Sequence, residues 1–426
     1  MLFKVKNLGL IDEAEIKLDG ITIITGENNV GKSTIGKMLY CVNNVFLRDR
    51  IDEVKIRRIE RVIINHYEGI SFPPVLIQGV IILIRGEAVV KKIVREASVF
   101  SLGISTLREF LTEIIDISPT LSAVNLDDHK LEDLVKKIQD VLSMTVAEIF
   151  AGLISMAVGT NFSGITHNTY TDNKKTVIEI SSEKMEQNVE ITITEDEAIV
   201  ENFENVIFQE TIYIESPRVA QDSEKKSLDP VFDPRQRVLQ MLTEESDIDY
   251  WETKEMKLEL KTILDKISSC APGNLVKQDS FSNKLVYEEE GQRFDLINVS
   301  NGVKTFAILK KLLVNAKLKR NGMLILDEPE IHLHPDWSTI FAEILVLLQK
   351  QFNLRVLINT HSGDFLMALE EYSKLHKVDK SCNYYLIKRN GHHSTCEDCT
   401  DHLNKIYQHF ANFYDDLDNL RYDDDQ

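Results

Sequence analysis

A candidate phosphate-binding loop lies near the N-terminus. The segment Gly26-Glu27-Asn28-Asn29-Val30-Gly31-Lys32-Ser33-Thr34 follows the apolar run 21–24 and precedes the helical pattern 35–40. Glycines let a backbone turn sharply and approach an anion, which backbone N–H groups and a helix N-terminus then face. Lys32 would contact the β- and γ-phosphates, and the Ser33 hydroxyl would ligate Mg²⁺. The candidate nucleotide-binding residues here are Gly26, Asn28, Asn29, Gly31, Lys32, Ser33 and Thr34.

Two acids end a buried-strand pattern far downstream. The continuous apolar run 323–326 ends in Asp327 and Glu328. Buried parallel strands have such runs, and ligands bind at the carboxyl ends of these strands. We expect Asp327 to hold Mg²⁺ together with Ser33, and Glu328 to polarise the water that attacks the γ-phosphate. The alternative is a strand that ends in solvated acids.

Two further segments add candidate residues. Residues 298–305 contain Ser300, Gly302 and Lys304 just before a helical run, which predicts a second anion site at a helix N-terminus. One triphosphate does not need two such sites unless the second serves a neighbouring subunit. The strand pattern 355–358 is followed by His361, which can reach a γ-phosphate. A lone histidine is more often structural, but its place behind the other segments favours catalysis.

The order of these segments identifies a family resemblance. GENNVGKST, VSNGVK, LILDEPEIHLHP and INTHS follow one another as in ABC-type P-loop ATPase heads, and most resemble the group of SMC, RecF and overcoming-lysogenization-defect (OLD) ATPases. The resemblance covers residues 1–50 and 205–375. It implies an α/β fold: a mixed sheet with flanking helices, an N-terminal antiparallel β part and a mostly helical insertion. The expected domains are a split nucleotide-binding head at 1–50 and 200–426, a helical insertion at 51–165, and joining β segments at 166–200.

The resemblance also implies roles for single residues. Lys32 and Ser33 look like the Walker A lysine and metal ligand, Asp327 like the Walker B aspartate, Glu328 like the catalytic glutamate and His361 like the switch histidine. Ser300 and Gly302 resemble the signature that closes on the nucleotide of the other subunit.

Some positions depart from the family pattern. Val299 stands where the signature has Leu, and Lys304 stands where transporters have Gln, so Lys304 is a candidate to bring positive charge to the γ-phosphate across a dimer. His334 falls at the D-loop aspartate position. Gln209 is a weak candidate for the Q-loop glutamine. The segment 214–218 resembles the group without an assignable role.

Composition limits the class of protein. The chain has 426 residues and 49 Lys plus Arg against 68 Asp plus Glu, a formal charge of −19. Such acidity does not favour direct nucleic-acid binding, because phosphate neutralisation needs cations. Five cysteines, an odd and sparse set, predict reduced thiols and a cytoplasmic protein. The longest apolar run, 75–84, is shorter than the roughly 20 residues of a membrane helix.

Local patterns predict the other elements. Residues 1–25 indicate a short β-meander that ends in the phosphate-loop strand, and residues 35–50 a first helix. Helical spacing recurs at 51–62, 106–117, 130–158 and 236–270. Residues 160–215 alternate as β strands.

A metal site near the C-terminus is the weaker of two interpretations. Cys396 and Cys399 form a Cys-x-x-Cys pair, and three histidines are close in sequence, His392, His393 and His402. Two thiolates and two imidazoles would suit zinc, but the usual distant second pair is missing. Residues 397–401 also indicate the first turn of a helix. We expect two small buried cysteines there.

The resemblance implies an ATPase with ATP and Mg²⁺ as cofactors that acts as a head-to-head homodimer or a higher oligomer. We expect the ATPase or sensor component of a bacterial antiphage defence system, away from membranes. The chain after His361 is too short for a fused Toprim nuclease, which needs roughly a hundred residues. A separate effector protein such as a nuclease is therefore expected, as in Septu-type pairs. The alternatives are a RecF- or SMC-type DNA-maintenance ATPase, a transporter subunit and a nucleotide-gated scaffold.

Overall fold

A computed structural model describes residues 1–47, 50–68, 128–182, 188–203, 210–221, 232–244, 260–279 and 284–411. It contains two compact units, Met1–Phe46 with Ala151–Gln426, and Leu47–Phe150. The boundary at Phe150 falls within a helix.

The strands of the described residues are β1 Leu2–Leu8, β2 Ile11–Lys17, β3 Ile21–Gly26, β4 Thr176–Ser181, β5 Val189–Ile193, β6 Ala198–Glu201, β7 Thr211–Ile214, β8 Asn274–Lys277, β9 Leu285–Glu289, β10 Gln292–Asp295, β11 Met323–Asp327, β12 Arg355–Thr360, β13 Cys382–Asn390 and β14 His393–Asp398. Eleven of them form one mixed sheet in the order β6-β5-β4-β1-β2-β14-β13-β3-β12-β11-β7, and β10-β9-β8 form a second sheet.

The helices are α1 Lys32–Val45, α2 Arg50–Glu68, α3 Asp128–Ser143, α4 Val146–Phe162, α5 Pro234–Thr243, α6 Lys261–Cys270, α7 Asn301–Val314, α8 Pro335–Phe352 and α9 Gly363–His376. Three short 3₁₀ helices lie at Pro217–Gln221, Leu296–Asn298 and Asp379–Ser381. A last helical segment covers 404–411.

Five parallel strands form one half of the large sheet: β13, β3, β12, β11 and β7. All six residues of β3 are buried, as are the last five of β12. Such strands need cover on both faces, which explains their continuous apolar sequence. Because they are parallel, their carboxyl ends share one edge of the sheet.

The other side of the sheet is antiparallel, apart from the parallel pairing of β14 with β2. β1 pairs with both β2 and β4, and β5 and β6 continue the ladder. Burial alternates along β4 and β5, as expected where one face is solvated. The predicted fold class is confirmed, with a mixed sheet, flanking helices and an N-terminal antiparallel part.

Several predicted elements differ from the structure. The N-terminal meander is wrong, because only β1 and β2 form a hairpin, whereas β3 lies between β13 and β12. The first helix begins at Lys32 and ends at Val45, because the loop leads directly into it. Residues 130–158 contain two helices with a break at 144–145. The segments 166–200 supply β4, β5 and β6, which extend the antiparallel part of the sheet.

The second unit is described only in part. α2 and α3 pack together through buried Ile59, Leu134 and Ile138, and Lys55 Nζ donates to the Leu142 carbonyl at 3.1 Å. The predicted helix 106–117 lies outside the described residues, as does Gln209. The domain boundaries therefore stay a prediction.

Candidate functional site

The phosphate loop connects β3 to α1 at the carboxyl edge of the sheet. A Cβ on Gly26 would lie 2.3 Å from the Ile387 carbonyl oxygen, and one on Gly31 would lie 2.9 Å from the Ile11 side chain. Both glycines also have positive φ, 144° and 105°. Only glycine fits this path between neighbouring strands. Asn28 and Asn29 are exposed at the tip of the loop.

Lys32 folds back over this loop. Its Nζ donates to the carbonyl oxygens of Gly26 at 2.8 Å and Glu27 at 2.7 Å, and the side chain is buried. Burial lowers the pKa of Lys32, and the carboxylates Glu328 and Asp327 oppose this effect. The loop therefore holds a desolvated cation that can turn toward an anion in the loop.

Asp327 ends β11 and accepts hydrogen bonds from three directions. The Ser33 hydroxyl bonds to its carboxyl group, Asn359 Nδ2 donates to Oδ1 at 3.0 Å, and the Tyr213 hydroxyl donates to Oδ2 at 3.3 Å. Burial raises the pKa of Asp327, and the Ser33 bond opposes this effect. Adjacent hydroxyl and carboxylate oxygens are ligands that Mg²⁺ prefers. Ser33 and Asp327 fit a magnesium ion.

Glu328 is held next to His361. Its φ of 47° is unusual for a non-glycine residue, and its N–H donates to the Asn359 carbonyl at 2.8 Å. Glu328 Oε1 lies 3.1 Å from His361 Nδ1. The turn after β11 therefore aims this carboxylate at the end of β12, beside the phosphate loop.

Glu330 belongs to the same turn and was not singled out from the sequence. Its Oε1 accepts from the Thr360 hydroxyl at 2.5 Å, while Oε2 is buried without a hydrogen-bond partner among the described residues. Burial raises the pKa of Glu330, and the Thr360 bond opposes this effect. The Thr360 oxygen also accepts from the Ser362 N–H at 3.0 Å. Glu330 thus fixes the backbone around His361.

The signature segment lies at the start of α7. Ser300 is exposed and caps the helix by accepting from the Val303 N–H at 3.3 Å. A Cβ on Gly302 would lie 3.1 Å from the His332 carbonyl, so α7 packs closely on the turn that follows Glu330. Lys304 is 3% exposed and donates to Asn301 Oδ1 at 3.2 Å. The hydrogen bonds of the described residues do not join Ser300 to the phosphate loop.

His334 caps the next helix. Its ring accepts from the Asp336 N–H at the start of α8, and the side chain is exposed.

Burial lowers the pKa of Lys304, and the nearby Arg218 adds to the effect.

β7 contributes two residues that sequence reasoning did not place. Tyr213, 1% exposed, supplies the hydroxyl on Asp327. Glu215, just beyond β7, accepts from Lys37 at 2.9 Å and from Arg235 at 2.6 Å. Because β7 is the parallel neighbour of β11, both residues lie at the same edge as Asp327. The resemblance of segment 214–218 to the family was the available signal.

The AAA ATPase domain family model matches residues 1–366 of this chain. The chain belongs to the AAA ATPase domain family. It is an ATPase, which binds and hydrolyses ATP.

Solved structures similar to this ATPase include SMC heads. An SMC head bound to the C-terminal winged-helix domain of ScpA matches with 9% identity, 93% and 96% coverage of the two chains and a TM-score of 0.44. The SMC head domain from Thermotoga maritima matches with 10% identity and a TM-score of 0.38. The match covers 93% of this chain and 97% of that chain. The Pyrococcus furiosus SMC head bound to the C-terminal domain of ScpA matches with 9% identity and a TM-score of 0.43. The match covers 97% of this chain and 98% of that chain. The family assignment of the ATPase rests on the domain match.

The C-terminal cysteines of the ATPase lie on a β hairpin. Cys396 lies in β14 opposite Ile387 of β13, and Cys399 follows the strand and is buried. The predicted helix start at 397–401 is wrong, because strand pairing continues to Asp398. His393 Nδ1 contacts Asp12 Oδ1 at 2.5 Å. No cluster of three metal-ligating side chains occurs in the described part of the ATPase.

Membrane-spanning potential is low in the helices that the structure describes. None is long and apolar enough to cross a membrane alone, and only the bent pair Glu132–Ser143 and Val146–Phe162 reaches the required length and composition when combined. The apolar run 75–84 lies outside the described residues.

Proposed function

We propose that this ATPase works as a head-to-head homodimer with an ATP and a Mg²⁺ ion in each of two composite sites. One observation carries the proposal: Lys32, Asp327, Glu328 and His361 converge at one edge of the sheet. Ser300 is instead exposed at the N-cap of α7, and the hydrogen bonds of the described residues do not join it to that edge. A second anion-binding helix start is useful when it meets the nucleotide of another subunit.

Each residue has a distinct task in this proposal. Lys32 neutralises charge on the β- and γ-phosphates, and Ser33 and Asp327 would hold Mg²⁺, which supplies further charge neutralisation. Glu328 orients a water in line with the γ-phosphorus and accepts its proton as the bond to the β–γ bridging oxygen breaks. The contact with His361 fixes the carboxylate during this step. Ser300, Gly302 and Lys304 would face the γ-phosphate of the partner's site.

Glu328→Gln tests this mechanism. The amide keeps the shape of the side chain but cannot accept the proton, so kcat should fall about a hundredfold or more. The variant should accumulate as an ATP-bound dimer, measured by light scattering after size exclusion with ATP and with ADP. Ser300→Arg in the same background should restore the monomer. Unchanged turnover, or a mass that does not depend on ATP, would contradict the proposal.

The cellular role that we propose is the ATPase or sensor component of a bacterial antiphage defence system with a separate effector protein. Its support is the similarity of the motif order to the OLD group. Cells that carry the chain with its neighbouring genes should plate phage less efficiently, and Lys32→Ala should restore plating. Equal plating, together with salt-dependent DNA binding by the purified chain, would instead favour a DNA-maintenance ATPase.

A further inference from the structure

The sheet order determines where a nucleoside would lie. β3, which leads into the phosphate loop, has β12 and β11 on one side and β13 on the other. The γ-phosphate end belongs on the β11 side, because Asp327 and Glu328 are there. Since the loop N–H groups contact the α- and β-phosphates, the α-phosphate and the base extend toward β13.

The turn between β1 and β2 borders that side of the loop. A Cβ on Gly9 would lie 3.5 Å from the Thr34 methyl group in the first turn of α1. Ser394 at the start of β14 pairs with Ile11, and its N–H donates to the Leu10 carbonyl at 2.6 Å. The β13–β14 hairpin therefore ends beside the turn at Gly9.

The same hairpin projects past the start of the loop. Ile387 pairs with Gly26, the last residue of β3, whereas β13 continues to Asn390. Three more residues extend about 10 Å beyond that pair. The tip of the hairpin, with exposed His392, thus rises over the carboxyl edge on the side away from the acids.

A loop between α4 and β4 fixes a second ring at this place. The Gly9 N–H donates to the Thr166 carbonyl at 2.7 Å, and Asn168 Nδ2 donates to the His392 carbonyl at 2.9 Å. Tyr170 stacks on His392 with a centroid distance of 4.1 Å and an interplanar angle of 18°. Tyr170 is 62% exposed, although large aromatic side chains usually bury most of their surface.

We propose that Tyr170 and His392 form a stacking platform for the nucleobase of the nucleotide bound at the phosphate loop. The inference rests on the proposed nucleotide site and adds the group that holds the base. Asn168 already uses its Nδ2 on the His392 carbonyl and its Oδ1 on the Tyr170 N–H. A platform that offers π faces accepts any purine, so adenine and guanine nucleotides should bind with similar affinity.

The test compares ADP with inorganic pyrophosphate, which has the same two phosphates and no base. Tyr170→Ala and His392→Ala should each raise the Kd for ADP about tenfold, because stacking on one base contributes about 1–3 kcal/mol. The Kd for pyrophosphate should not change. Tyr170→Phe, which keeps the ring, should bind ADP as the wild type does. His393→Ala is the matched control, since that ring contacts Asp12.

The possible outcomes separate the platform from the phosphate site. Equal ADP affinity in the wild type and both alanine variants would overturn the platform, and so would equal losses for ADP and pyrophosphate. Tyr170→Leu, an apolar residue without a ring, gives the same comparison if the alanine variant unfolds. Failure of the dimer mechanism would instead appear in the wild type and Glu328→Gln with ATP, where the platform is intact.

Discussion

The two halves of the large sheet use their polar residues differently. In the parallel half, β3 and β12 are buried on both faces, so charged side chains stand only where such strands begin or end. In the antiparallel half, β4 and β5 each have one face toward solvent. Carboxylates such as Glu179 and Glu190 lie along that face. The parallel half therefore concentrates its carboxylates at one edge, and the antiparallel half spreads them out.

The energetic setting differs in the same way. Burial lowers the pKa of Lys32 and raises those of Asp327 and Glu330, so the charged forms at the edge are disfavoured until a ligand compensates. On the antiparallel face, the pKa of Lys4 is raised by its bond to Glu15 at 2.9 Å. Desolvated charge at the edge is suited to binding, whereas solvated pairs on the face contribute little.

The largest difference between the halves should appear when a lysine is removed from each. Lys32→Ala should lower kcat/KM for ATP about a hundredfold or more, because the desolvated cation faces the phosphates. Lys4→Ala, the control on the antiparallel face, should keep ATPase activity near the wild-type value. Phosphate-release kinetics at saturating and limiting ATP measure both variants. Similar losses would mean that position in the sheet does not decide function.

Glu330 tests whether the edge needs its carboxyl group for charge or for shape. Glu330→Ala leaves Thr360 without its acceptor, so the backbone that positions His361 is held less firmly and kcat should fall about tenfold. The unmet buried hydrogen bond should separately lower the free energy of unfolding by about 1–3 kcal/mol. Glu330→Gln keeps an oxygen for Thr360 and should lower kcat much less. Equal losses in both variants would show that the negative charge is required.

The pH dependence of stability gives an independent reading of Glu330. Its pKa is raised in the folded protein, so folding binds a proton, and wild-type stability falls as pH rises from the unfolded-state pKa through the folded one. Gln cannot ionise. Glu330→Gln should therefore gain unfolding free energy relative to the wild type as pH rises above the ordinary glutamate pKa of 4.5, measured by urea denaturation. A constant difference would mean that Glu330 does not titrate there.

The same contrast explains how far sequence reasoning reached. Lys32, Ser33 and Asp327 could be named as candidates from the sequence alone, because the roles proposed for them depend on local backbone geometry: a glycine loop before a helix and acids after an apolar run. The structure brings them together because β3 and β11 flank β12 in the parallel half of the sheet. Tyr213 was not identifiable, because within an apolar strand it looks like a core residue until β7 is known to lie next to β11.

Long-range pairing was the other limit. β3 was assigned to a meander because sequence neighbours usually pair, yet its six buried residues require two parallel neighbours, β12 and β13. Tyr170 and His392 lie in different segments, and only tertiary contacts bring their rings together. The hairpin of β13 and β14 was missed because its acids resembled a helix start.

The smallest predicted effect lies on the antiparallel face. Glu190 pairs with Glu179 on one side and with Glu201 on the other, and like charges directly opposite one another destabilise a sheet. Glu190→Lys should raise the unfolding free energy by about 0.5 kcal/mol, and salt should reduce the gain. Thr192→Lys is the matched control, because its neighbours Val177 and Ile199 are uncharged. If urea denaturation gives the two variants equal stability, the carboxylates on this face do not repel one another measurably. Their spacing would then already disperse the negative charge that the carboxyl edge of the parallel strands concentrates.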